Sequence, residues 1–253
     1  MSTVISIHSY RGGTGKSNST ANLASLVAAQ GKRVGIVDTD IQSPGIHVLF
    51  GFDDDKITRS LNDYLWGRSP IADVAYDVTD AIGDQAQPNS KIFLIPSSVK
   101  AGEIARVLRE GYDVGLLNDG FQDLLDELQL DYLFIDTHPG LNEETLLSIT
   151  ISDVLLLILR PDSQDYQGTA VTVDVARRLE VPQLLMLVNK APSVLNFTEL
   201  KQQVEQIYAA PVAAVLPHSD EMMILASSGL FSMKYPDHPF TQTLRSVAQQ
   251  IMG

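Results

Sequence analysis

Cysteine is absent from all 253 residues. That absence excludes disulfides, thiolate zinc, thiolate-held iron–sulfur clusters and cysteine nucleophiles from this chain. Basic residues are scarce as well: 18 Lys and Arg stand against 31 Asp and Glu, a formal charge of −13. An acidic whole disfavours generic binding to polyanions, although a small local basic patch remains compatible with it. Long apolar runs are also missing; the longest purely aliphatic stretch, Val154 to Leu159, is about a third of what a membrane span requires. Met1 to Tyr10 hold neither a basic cluster nor a long apolar run. They do not read as a secretion signal, and the expectation is a cytoplasmic protein with no membrane insertion.

What is present is the composition of a folded globular protein, 44% hydrophobic and 19% charged, in a chain long enough for one large α/β domain. Short apolar, β-branched runs alternate with stretches of helical period. Strands are expected at Thr3–His8, Arg33–Asp38, Lys91–Ile95, Asp131–Asp136, Asp153–Leu159, Gln183–Asn189 and Pro211–Leu216. Helices are expected at Ser17–Gln30, Glu103–Glu110, Phe121–Gln129, Asn142–Ile151, Gln167–Glu180, Thr198–Tyr208, Asp220–Ser228 and Thr241–Ile251. Several strands lack polar alternation, as strands buried on both faces do. The repeated strand–helix units imply a single α/β domain over 1–253, a mostly parallel twisted sheet with helices on both faces. Residues 52–90 are the least regular part and read as a variable insertion, decoration on that domain, with a short amphipathic helix at Ser60–Trp66. In the last helix Leu244, Val247, Ala248, Ile251 and Met252 share one face. Arg245 is the only basic residue from Thr241 onward, so that face is expected to pack on the core and not on a membrane.

The strongest local signal is Ser9-Tyr10-Arg11-Gly12-Gly13-Thr14-Gly15-Lys16-Ser17, placed after a strand and opening a helix. Glycines let a backbone wrap so that successive N–H groups face phosphate oxygens, and the helix start adds favourable partial charge. Gly12, Gly13, Thr14, Gly15, Lys16, Ser17 and Asn18 are therefore candidates for binding a nucleotide. Lys16 is suited to the β- and γ-phosphates and the Ser17 hydroxyl to Mg²⁺.

The ordinary phosphate-loop pattern places Gly at position 10, where this chain has Tyr10. The loop instead resembles the deviant Walker A form of the MinD/ParA family, with Arg11 in place of that family's signature lysine. Val37-Asp38-Thr39-Asp40-Ile41-Gln42-Ser43-Pro44-Gly45 resembles the family's first switch, and Phe134-Ile135-Asp136-Thr137-His138-Pro139-Gly140 its second. Val188-Asn189-Lys190 and Val215-Leu216-Pro217 resemble the strand ends that hold adenine. The likeness spans residues 3 to 217 and implies a P-loop NTPase fold binding ATP and Mg²⁺.

Under that resemblance Asp136 binds Mg²⁺ through a water, with Asp38 on the metal side, and Asp40 positions the attacking water. The backbone N–H of Gly140 meets the γ-phosphate and lets go after hydrolysis. His138 occupies a slot that varies in the family and is assigned no chemistry. Asn189 and Pro217 hold the base. After Asn189-Lys190 come Ala191-Pro192, so the carboxylate that a guanine-reading loop carries is missing, and the Asn189 amide is suited to adenine's edge. Arg11 has two readings: a guanidinium reaching the partner's phosphates across a dimer, or a surface cation whose trans role falls to another residue.

The resemblance implies an ATPase switch that forms a homodimer with ATP, positions or recruits a protein cargo, and is discharged by a partner that stimulates slow hydrolysis. The metal-cluster branch of the superfamily holds its metals with cysteines, which this chain lacks. A ligase-like enzyme and a ParA-type DNA-binding partition protein remain as alternatives. Arg177, Arg178, Lys190, Lys201, Lys234 and Arg245 are scattered and mostly alternate with acids, so DNA is not the favoured partner.

Overall fold

The computed structural model describes residues 2–253. Its strands are β1 (Thr3–His8), β2 (Arg33–Asp38), β3 (Tyr76–Asp77), β4 (Lys91–Ile95), β5 (Tyr132–Asp136), β6 (Val154–Leu159), β7 (Gln183–Ala191) and β8 (Val212–Pro217). They form one sheet in the order β3-β4-β2-β5-β1-β6-β7-β8. Every pairing is parallel except that of β3, which runs antiparallel to β4 at the edge. The runs without polar alternation lie in the middle, where both faces are covered. All of Val154–Leu159, for example, is buried.

The helices are α1 (Lys16–Ala28), α2 (Leu61–Leu65), α3 (Ala101–Glu110), α4 (Val114–Glu127), α5 (Glu143–Ile151), α6 (Ser163–Arg178), α7 (Phe197–Tyr208), α8 (Asp220–Leu225), α9 (Phe231–Lys234) and α10 (Pro239–Met252). On one face of the sheet, Leu23, Leu26 and Val27 of α1 and Leu244, Val247 and Ile251 of α10 pack with Ile5, Ile7 and Ile36. On the other, Leu117, Phe121 and Leu124 of α4 meet Val4, Val37 and Ile135, while Val173 of α6 and Val204 of α7 cover Leu155 and Leu157. Neighbouring residues of β1 and β2 thus point to opposite faces, as pleating requires. The apolar stripe of α10 lies in the core, and no helix among the described residues is long and apolar enough to cross a membrane.

Several expected boundaries move. The helix expected from Phe121 begins at Val114, because Asp113 caps it by accepting from the Gly115 N–H at 2.8 Å. The helix expected from Gln167 begins at Ser163, where Asp162 accepts from the N–H groups of Gln164 and Asp165. An Asp before an amphipathic run is a start signal legible in the sequence. The helix expected to reach Ser228 stops at Leu225, since Ala226 and Ser227 turn to φ of +49° and +60°. The segment 52–90 is more than decoration. Its Leu61, Leu65, Ile71 and Val74 join one core face and Val78 and Ile82 the other, and it supplies edge strand β3.

Parallel strands send all their following loops to one edge of the sheet. The turns after β1, β2, β5, β7 and β8 therefore gather around β1, which lies between β5 and β6, strands it does not adjoin in sequence. Such a reversal of strand order opens a crevice at the strands' carboxyl ends.

Candidate nucleotide site

Between β1 and α1 the chain wraps through residues 9–15. Gly13 and Gly15 take φ of +77° and +98°, the left-handed region that side chains resist. Gly15 is constrained twice, because a Cβ there would stand 2.5 Å from Asn189 Nδ2. No side chain caps α1, and the Ser19 N–H is bonded to the Gly15 carbonyl at 3.0 Å. The N–H groups of Lys16, Ser17 and Asn18 thus open toward the loop, where the helix dipole adds positive potential. The glycines, Thr14, Lys16 and Ser17 share one turn at the start of α1, a candidate anion site.

Asp38 and Asp136 end adjacent strands and are register neighbours. Burial pushes the Asp38 carboxyl well above the usual range, and the nearby carboxylates of Asp136 and Asp40 push it further. Burial likewise raises Asp136. The Lys16 ammonium and hydrogen bonds from Ser17 and Thr20 act in the opposite direction, and Asp40 adds to the rise. Thr20, one turn after Lys16 on α1, donates its hydroxyl to Asp136 Oδ1 at 3.0 Å. Thr20 is a site residue that the motif alone does not flag; its spacing from Lys16 is the signal.

This corner is rich in oxygen donors and short of positive charge, which suits a hard cation. No cluster of three or more His, Asp or Glu among the described residues forms an all-protein cage. Magnesium does not need one, since it keeps waters and binds one or two carboxylates together with phosphate oxygens.

Asp40 lies two residues past β2, nearly buried. Its Oδ1 accepts from the Ser43 N–H at 3.2 Å, the Ser43 hydroxyl at 2.9 Å and His138 Nδ1 at 2.7 Å. His138, to which the sequence assigns no chemistry, therefore ties the second switch to the first. Gly140, at φ of +87°, donates its N–H to the Ser9 carbonyl at 3.3 Å. That N–H is held by the loop between β1 and α1.

At the base end, Asn189 donates Nδ2–H to the Thr14 carbonyl at 2.8 Å, and its Oδ1 accepts from the Lys190 N–H at 2.8 Å. Lys190, at φ of +56°, places its ammonium on the Gly13 carbonyl at 2.8 Å. Both residues brace the phosphate loop. One amide N–H and one lone pair of Asn189 remain for a base. Asn189 and Pro217, near the ends of the paired strands β7 and β8, line a cleft of about 430 Å³ together with Asn18, His218, Met222, Phe240 and Leu244. Apolar walls with a few polar groups suit a planar base. The Met222, Phe240 and Leu244 walls come from α8 and α10, distant in sequence, and no local motif announces them.

Arg11 turns onto its own chain. Its guanidinium lies 3.3 Å from Asp165 and 3.6 Å from Asp162, at the start of α6. Asp165 is 2% exposed and also receives Arg160 Nε at 3.2 Å. Next to it, Tyr10 packs on Gly168 so closely that a Cβ at Gly168 would enter the ring.

A strand-turn-helix phosphate loop at the reversal of a mostly parallel sheet defines the P-loop NTPase fold seen in MinD and ParA proteins. Residues 2–184 match the family model described as AAA domain, and the chain belongs to that family. An uncharacterized ATP-binding protein of Methanocaldococcus jannaschii is 28% identical over 255 aligned residues, covering 100% of this chain and 89% of that protein. The cytosolic Fe-S cluster assembly factor CFD1 of Chaetomium globosum is 31% identical over 159 residues, covering 63% of this chain and 48% of that protein. Among solved structures, the septum site-determining protein MinD of Pyrococcus horikoshii, complexed with Mg-ADP, superposes with a TM-score of 0.78. It is 21% identical, and the match covers 99% of this chain and 96% of that one.

Proposed function

We propose that this chain is a Mg²⁺-dependent ATPase switch of the MinD/ParA kind, which dimerises with ATP and positions or recruits a protein partner. The observation that carries the reading is the convergence of Lys16, Asp40, Asp136 and Ser17 at the mouth of the phosphate loop. Lys16 and the open N–H groups of α1 would hold the β- and γ-phosphates. Ser17 and Asp136, with Asp38 behind them, would hold magnesium, which when bound neutralises phosphate charge. Asp40 would orient a water against the γ-phosphorus. The new water–phosphorus bond forms as the bridging bond breaks, its electron pair leaves on ADP, and the water's protons end on phosphate and solvent. The Gly140 N–H would exchange the Ser9 carbonyl for the γ-phosphate, linking the second switch to nucleotide state.

Arg11 would leave Asp165 and Asp162 for the partner's phosphates in the ATP dimer. The base would lie between Asn189 and Pro217. The likeness to an Fe-S cluster assembly factor supports the shared nucleotide machinery; the zero cysteine count removes thiolate-held cluster transfer from this chain. The test is ATP turnover with and without Mg²⁺ for the parent and Lys16→Ala. Magnesium-dependent phosphate release by the parent and none by the variant is expected. Equal release from both would defeat the reading.

A further inference from the structure

The phosphate loop and metal corner follow from the motifs, but the Asp40–His138 contact does not. Three donors converge on a single oxygen of Asp40: the Ser43 N–H, the Ser43 hydroxyl and His138 Nδ1. The histidine bond, at 2.7 Å, is the shortest of them. A carboxylate only accepts, so the imidazole carries its proton on Nδ1 and donates it. Among the described residues no hydrogen bond is seen on the other oxygen, Oδ2, which leaves it for a further donor. The two Ser43 donors lie on Asp40's own turn and move with it. His138 lies on the turn after β5, two residues beyond Asp136, and its carbonyl accepts from the Thr145 hydroxyl at 3.4 Å. Asp38 Oδ1 holds the Asp40 backbone N–H at 3.0 Å, and His138 ties the Asp40 carboxylate to the second switch.

We infer that His138 is a positioning residue for hydrolysis, holding Asp40 by Oδ1 so that Oδ2 faces the attacking water. The inference rests on the ATPase reading above and adds to it a residue that acts through Asp40 and couples the two switch segments. Misplacing a catalytic group by about an ångström is enough to cost on the order of a hundredfold in rate. Losing one of three tethers is expected to cost about ten- to a hundredfold in kcat while leaving the KM for ATP near the parent's.

The test is steady-state and single-turnover ATP hydrolysis by the full chain: parent, His138→Ala, His138→Asn, Asp40→Ala, and Asp40→Ala combined with His138→Ala. Mg·ADP binding by each variant reports that the fold and nucleotide site are intact. Asparagine can present an amide N–H close to the Nδ1 position, so His138→Asn is expected to recover most of the rate that His138→Ala loses. The double variant is expected to be no slower than Asp40→Ala, because His138 acts only through that carboxylate. Parental kcat in His138→Ala overturns the inference alone, as does equal loss in His138→Asn and His138→Ala. A further drop in the double variant also overturns it. A parent whose turnover is unchanged by Asp40→Ala overturns the assignment of Asp40, and the inference falls with it.

Discussion

Asn189 separates two accounts of the base end of the site. The motif suggests a residue that reads adenine, whereas the structure shows its Nδ2 on the Thr14 carbonyl and its Oδ1 on the Lys190 N–H, each at 2.8 Å. In Asn189→Ala the Thr14 carbonyl and the Lys190 N–H both lose a partner. An intramolecular hydrogen bond contributes about 0.5–1.5 kcal/mol, and a buried polar group left unpaired costs about 1–3 kcal/mol. Bracing of the loop therefore predicts about 1–2 kcal/mol in ligand affinity, roughly a 5- to 30-fold rise in Kd. The loss should be shared by any ligand that uses the phosphate loop. The assay is calorimetric titration of parent and variant with Mg·ADP and with magnesium pyrophosphate, which has no base. Weakening of both ligands is expected, with ADP, which also has a base, losing at least as much as pyrophosphate. Weakened ADP with unchanged pyrophosphate would refute the bracing role and leave Asn189 as a base reader alone.

Other outcomes follow from buried groups. His8 is fully buried, and burial, with help from the Lys16 charge, lowers its pKa from 6.5 to about 3. Between those values the unfolded chain binds the proton and the folded chain does not, so His8 lowers stability as pH falls from 6.5 toward 3. In chemical denaturation, His8→Asn is expected to remove up to about 1.4 kcal/mol per pH unit of that slope. An unchanged slope would mean that His8 titrates normally. Arg11→Ala is expected to abolish the ATP-driven dimer and slow hydrolysis, read by light scattering and phosphate release. A parental rate and dimer would leave Arg11 as a surface cation.

The fold was legible where local chemistry decides it. Unbroken apolar runs of strand length such as Val154–Leu159 read as buried strands, and glycines before Lys16-Ser17, between a strand and a helix, read as a tight turn. Apolar periodicity alone misplaces two helix starts that the capping Asp113 and Asp162 set, extending α4 and α6 by a turn or more beyond the apolar pattern. Strand β3 is only two residues long and exists by pairing with Leu94 and Phe93, a tertiary event with no local signature. The site divides in the same way. Lys16, Ser17, Asp38, Asp40 and Asp136 announce themselves by motif. The bonds of Asp40 to His138, of Asn189 to Thr14 and of Arg11 to Asp165 cross between elements 98, 175 and 154 residues apart. Only folding brings those pairs together, so spacing along the chain does not reveal them.

In the proposed switch ATP, and not ADP, would join two copies of this chain. Size exclusion with light scattering on parent, Asp40→Ala and Lys16→Ala, each with Mg·ADP and Mg·ATP, measures it directly. A mass of twice 27.6 kDa is expected for Asp40→Ala with ATP, where hydrolysis is slowed and the dimer persists. A single chain's mass is expected for Lys16→Ala throughout and for every ADP sample. One-chain mass for Asp40→Ala while it demonstrably holds ATP would contradict the proposed switch.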